Sequence, residues 1–231
     1  DRSPSRGLGD VYKRQGLSSS ITYPADELSY NTIQYHTPEL PFGTTGHVAW
    51  GNAKKDASSG NQTGAAGTNS ITSYSLVTKP VDGLTLSAHY NKVNDYDDGT
   101  ITEQQLEEGG SYAAKYSAGN VTVGYGKSFQ APEISTAVGA GTCVIEYYEN
   151  TGLSIGFAVN DQLSISWTEE TGEKIFQTTS TASTDIEMTS YQAAYALGGA
   201  TLSIAQADYD NVSHSEGTDA SDTIIALNFE F

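Results

Sequence analysis

The chain alternates. From about residue 29 to its end, apolar and polar residues trade places at every second position, in one short segment after another. The stretch from Leu84 to Asn91 sets Leu84, Leu86, Ala88 and Tyr90 against Thr85, Ser87, His89 and Asn91. The last residues do the same, with Ile225, Leu227, Phe229 and Phe231 on one side and Ala226, Asn228 and Glu230 on the other. A period of two places successive side chains on opposite faces of a β-strand, so each segment reads as a strand with one apolar and one polar face.

About eleven such strands follow one another. The first covers Ser29 to Thr37, the second Thr45 to Ala53, the third Ser70 to Lys79, and the fourth starts at Leu84. The fifth runs from Gly110 to Ser117, the sixth from Val121 to Phe129, and the seventh is the longest, about Thr142 to Ala158. The eighth carries Leu163, Ile165 and Trp167, the ninth Tyr191, Ala193 and Tyr195, the tenth Leu202 and Ile204, and the last Ser221 to Phe231. Turn chemistry separates them: Asp82-Gly83, Gly119-Asn120, Asn160-Asp161 and Gly198-Gly199. Short turns follow the odd strands and long polar loops follow the even ones. A β-sandwich needs no such asymmetry, whereas a transmembrane antiparallel barrel has short turns on one side and long loops on the other. Its apolar positions face lipid and its polar positions line a wet lumen. Aromatic residues near strand ends supply the interfacial girdles.

Composition agrees. The chain has 231 residues, with 24 Gly and 15 Tyr against one Cys and one Met, a usage that suits strands and tight turns. No run approaches the ~18 apolar residues a membrane helix needs, but barrel strands of ~9–11 half-polar residues pass unseen by hydropathy. A net charge of −17 argues against nucleic acid as a partner. The lone Cys143 cannot form an internal disulfide. Residues 1–15 hold all three arginines, Arg2, Arg6 and Arg14, and no strand alternation. They resemble translated sequencing-adapter sequence and are expected to lack a packed partner, leaving 16–231 as the folded part.

The first strand reads Asn31-Thr32-Ile33-Gln34-Tyr35-His36-Thr37-Pro38. General porins of Gram-negative bacteria carry a similar stretch, Asn-Ser-Ile/Val-x-Tyr-x-Ser-Pro, on the strand after the loop that constricts the pore. The closing strand ending at Phe231 is similar to the terminal strand of outer-membrane proteins. The chain thus resembles the C-terminal part of a sixteen-stranded general porin of alphaproteobacterial type, with about eleven of the sixteen strands present. The resemblance implies an all-β transmembrane barrel in the bacterial outer membrane, acting as a passive channel for small hydrophilic solutes and ions. It also implies a homotrimer, contact with outer-membrane lipid, and delivery to the barrel-assembly machinery through the strand ending at Phe231. The residues 16–28 would be the tail of the constriction loop, with Asp26 and Glu27 near the eyelet. The basic wall that usually faces them is thin here, with lysines and no arginine.

Lumen or eyelet candidates are Asp26, Glu27, His89, Lys115, Lys127 and Glu146. Leu84, Leu86, Leu163, Ile165, Tyr191, Leu227 and Phe229 are expected to face lipid. Thr85, Ser87, Ser164, Gln192 and Asn228 are expected to face the lumen. In the tenth strand, Gln206 and Asp208 fall in line with Leu202 and Ile204, and a bulge there would repair the pattern. The sheet is expected to stay open at the first strand.

The four histidines sit on separate segments without metal spacing, and no cofactor, metal or catalytic residue is assigned. The acidic run Asp95, Asp97, Asp98 lacks the later bidentate Glu of a calcium loop. Beyond residue 15 there are seven Lys and no Arg against 26 acids, a balance of −19, with many acids in the long loops. Acid at a pore mouth enriches cations, so cation selectivity is expected. The rival from another class is a secreted or surface-anchored β-sandwich adhesin, which uses the same alternation with its apolar faces turned inward.

Overall fold

The computed structural model describes residues 32–52, 70–94, 105–132, 145–177 and 183–229. They form eleven strands: β1 (Thr32–His36), β2 (Thr45–Asn52), β3 (Ser70–Val81), β4 (Leu84–Asn94), β5 (Glu108–Ala118), β6 (Val121–Ala131), β7 (Ile145–Ala158), β8 (Leu163–Phe176), β9 (Ile186–Ala196), β10 (Ala200–Asp210) and β11 (Ala220–Phe229). All eleven lie in one antiparallel sheet in sequence order, and no pairing joins β1 to β11 among the described residues. The single open sheet is the expected architecture. Among the described residues no second sheet covers the apolar face, which disfavours the sandwich rival. Residues 1–31, which hold the foreign-looking segment and the constriction-loop candidates, lie outside the described residues, as do Cys143 and Phe231.

The connections set the register. Gly83 at φ +80 closes the β3–β4 turn, Gly119 at φ +57 the β5–β6 turn, and Gly198 at φ +82 the β9–β10 turn. In the β7–β8 turn the Asn160 side-chain oxygen accepts from the amides of Gln162 and Leu163, both at 2.9 Å, so the side chain holds the backbone bend. Between β1 and β2 a 3₁₀ turn at Pro41–Gly43 puts Phe42 and Gly43 at positive φ. The segments joining even strands to odd ones are the long ones, 53–69, 95–107, 132–144, 177–185 and 211–219.

The two faces are unlike in kind and in exposure. Along one row of the outer face, Val121 lies opposite Phe157, Phe157 opposite Ile165, and Ile165 opposite Ala193. That row continues through Ile204 to Ile225. The inner face pairs Thr85 with Lys115, Ser87 with Ala113, and Gln192 with Ser166. Neighbours on one strand show the contrast: Ser73 is 1% exposed and Tyr74 49%, Ser190 1% and Tyr191 57%. A flat single sheet would expose both faces alike, so the sheet curves toward its small polar face and buries Ser73 beside Asn91 on β3 and β4, and Ser190 and Ser203 on β9 and β10. All the residues expected to face lipid share the apolar face, and all those expected to face the lumen share the other.

One expectation fails. β10 pairs without interruption from Ala200 to Asp210, so no bulge turns Gln206 and Asp208 inward. They stay on the outer face beside Tyr191, Thr189, Thr223 and Ser221. The pattern needs no repair because the outer face itself changes along the strands. Toward the long-loop ends it carries Glu149, Glu169, Glu173, Glu187, Asp208 and Asp210 in place of aliphatic residues.

Candidate pore-lining face

The inner face holds two of the six candidates, Lys115 and His89. Lys115 on β5 lies between Thr85 and Gly124. His89 on β4 lies between Ser75 and Ser111. Glu146 has no partner in the ladder, since the register shifts between Ile145 and Tyr147, and it lines a cavity with the outer-face residues Tyr147 and Glu149. Its backbone carbonyl accepts from the Gln105 amide at 2.9 Å, so the segment before β5 is tied to β7 at this end. Gln105 also donates to the Pro132 carbonyl at 2.7 Å. Asp26 and Glu27 lie outside the described residues.

Lys127 is corrected. It stands opposite Tyr112 and Thr151, on the face of Val121, Val123 and Tyr125. Its ammonium lies 2.7 Å from the Glu149 carboxylate, which occupies the same outer face. The alternation of β6 already put residue 127 with residues 121, 123 and 125; only its charge pointed to the lumen. At the polar end of the outer face a partly exposed ion pair is tolerated, and its net stabilisation is small.

The inner face is not polar throughout. At the long-loop end, Ile186, Met188, Ala207 and Tyr209 form a buried cluster, with Val212 and Ala220 packed against it. The loop of residues 211–219 folds over this cluster. Asn211, Ser213 and His214 take positive φ there, and the Asn211 side chain accepts from the Gly217 amide at 3.0 Å. The His214 ring meets the ring of Tyr148 at 6.0 Å, and its Nδ1–H donates to the Thr184 carbonyl at 2.9 Å. Burial holds the His214 imidazole below the ordinary histidine range. The Lys174 charge acts the same way, while the Thr184 bond and Asp185 act against it. The sequence signal for this cluster was present: in β9 the apolar parity crosses over between Tyr191 and Met188.

A second feature escaped the sequence reading. His36 lies opposite His47, His47 opposite Ser75, and Ser75 opposite His89, so three of the four histidines share one transverse row of the inner face. Among the described residues no three or more His, Cys, Asp or Glu side chains converge as a metal centre. A cavity of about 610 Å³ lies near the long-loop ends of β4 to β7, lined by Lys92, Glu108, Phe129 and Tyr147 among others. These residues belong to the outer face, and Glu146 lines the cavity with them.

Charge on the inner strands is mixed. Lys115 and Lys174 stand with Glu170 and Asp222. Among the described acids near the long loops, Glu107, Asp185, Glu216 and Asp219 lie in connections, whereas Glu108 and Glu187 are strand residues of the outer face.

No protein-family model and no curated protein matches this sequence. Solved structures do. The chain is similar to an anion-selective porin from Comamonas acidovorans, with a TM-score of 0.64 at 12% identity over 88% of this chain and 60% of that one. It is similar to a porin refined at 1.8 Å, with a TM-score of 0.60 at 15% identity over 91% of this chain and 66% of that one. It is also similar to the outer-membrane channel DcaP of Acinetobacter baumannii, with a TM-score of 0.53 at 10% identity over 89% of this chain and 66% of that one. The chain therefore spans about three fifths to two thirds of the length of these structures. The fold is a porin-type antiparallel β-barrel wall, open among the described residues.

Proposed function

We propose that the chain forms part of the wall of a bacterial outer-membrane channel that passes small hydrophilic solutes and ions without catalysis. The observation that carries this reading is the sorting of the two faces. One curved sheet of porin fold turns large apolar residues outward and small polar residues inward. In water the outer face would be a large apolar patch, which soluble monomers avoid. In lipid it is the required surface. The long-loop end is read as extracellular and the short-turn end as periplasmic, and Asp26, Glu27, His89 and Lys115 as lumen or eyelet residues. Homotrimer formation and recognition of the terminal strand by the assembly machinery belong to the same reading.

Weak cation preference is the selectivity proposed. It rests on the net charge of −17 and on Asp185, Glu216 and Asp219 in the long connections. The mixed signs on the inner strands keep it weak. The fold does not set the sign, since a structure of the same fold is an anion-selective porin.

Reconstitution of the full-length channel in planar bilayers tests both levels. Stepwise, ohmic conductance is expected. A KCl gradient should give a reversal potential of cation sign that shrinks from ~0.1 to ~1 M salt, as the Debye length falls from about 10 to about 3 Å. Absence of conductance steps would overturn the channel. An anion-signed potential would overturn the selectivity alone.

A further inference from the structure

The register brings together what sequence spacing keeps apart. His36 and His47 lie directly opposite each other on β1 and β2, at the short-turn end of the inner face. Their rings are stacked, with centroids 4.3 Å apart and planes inclined by 20°. The Nε2 of His47 is buried and has no hydrogen-bond partner among the described residues. A buried polar atom left unsatisfied costs stability, and native structures rarely keep one without a use. Two imidazoles at one cross-strand position offer two nitrogen donors of the softness that copper, zinc and nickel ions prefer.

We propose that His36 and His47 form a chelating site for a divalent late transition-metal ion on the lumen wall. Such ions bind imidazole nitrogen at ~2.0–2.1 Å, so two donors on one tetrahedral ion stand roughly 3.3 Å apart. With centroids 4.3 Å apart the two rings are near enough for their nitrogens to reach that separation once rotation about the broad second torsion of histidine turns them from the stack toward a shared point. No third protein ligand converges on the pair among the described residues, so water completes the coordination. An open site of this kind holds its ion exchangeably, in contrast to the closed four-ligand sites that staple small folds. His89 stands on the same row beyond Ser75, as a neighbour at the same level and not as a ligand. The placement on a lumen rests on the channel reading; the chelation does not.

The test is a Cu²⁺ titration of the full chain folded in detergent micelles, read by electron paramagnetic resonance. One bound ion per chain is expected, with hyperfine coupling from two imidazole nitrogens. Loss of even an outer partner of a metal ligand costs roughly 10–100-fold in affinity, so His36→Gln and His47→Gln should each weaken binding at least about tenfold. His89→Gln and His214→Gln should bind as the unaltered chain does. A spectrum with one imidazole or none in the unaltered chain would overturn the proposal without any variant having to fold. So would full binding by His36→Gln, or loss on replacing His89 or His214. Since no current is measured, copper binding in a protein that fails to conduct would retain this site and remove only its lumen.

Discussion

Gly83 and Gly119 both close two-residue turns at positive φ, yet they differ in what surrounds them. A Cβ on Gly83 would stand 2.2 Å from the Ser117 carbonyl oxygen, whereas a Cβ on Gly119 meets nothing within 4 Å. Gly119→Ala should cost only the left-handed backbone strain, about 1–2 kcal/mol. Gly83→Ala carries that strain and a backbone clash, and should lower the urea midpoint further; equal midpoints for the two variants would refute this. His214 gives a second prediction at this scale. Its folded-state pKa is lowered from the ordinary histidine value of 6.5, so the unfolded loop takes up the proton first. Stability from this group is full above 6.5 and is lost as pH falls through that value toward the lower folded-state pKa. Amide exchange in residues 211–219, corrected for intrinsic rates, should therefore speed up between about pH 7.5 and 5, and His214→Gln should flatten the profile. A profile unchanged by that substitution would show that the imidazole does not hold the loop.

Strands divide into an apolar stretch near the short turns and a polar stretch near the long loops. On β7 the outer face runs from Phe157, Ile155 and Leu153 to Thr151 and Glu149; on β8 from Ile165 and Trp167 to Glu169, Thr171 and Glu173. If the first stretch lies in hydrocarbon and the second at headgroup level, Ile155→Arg should cost about 2–4 kcal/mol in lipid vesicles and Thr171→Arg no more than about 1. Similar costs would mean that the membrane boundary is drawn wrongly. The facing of single strands was legible in the sequence because alternation needs no partner. Pairing across a tight turn was legible too, since Asp82-Gly83 or Gly119-Asn120 fixes which residues meet. Pairing across a long loop was not. His47 and His89 reach one row only through β3, and the loop of residues 53–69 carries no information on that register. Lys127 was misread because its charge was weighed above its parity. The cluster of Ile186 and Met188 was missed because an inward apolar pair breaks the rule that served elsewhere.

The whole sheet has two exposed edges among the described residues, at β1 and β11, and nine strands paired on both sides. Unpaired edge amides are open to solvent or to another chain. In micelles the chain alone should show its fastest strand exchange in β1 and β11 and its slowest in β6 to β8. Uniform protection would show that the edges are covered. Strands that resist exchange least are also where additional strands of a longer protein would join.

The burial of Ser73, Asn91, Ser190 and Ser203 on the inner face has a consequence for size. Small inner side chains let neighbouring strands hinge toward one another, and larger ones act as wedges. The arc of the wall is thus limited by inner side-chain volume, and with it the number of strands needed to complete a circle. Ser→Leu at several of these positions should flatten the arc and favour a wider ring, so that the diameter of the ring is governed by some of its smallest and most buried side chains.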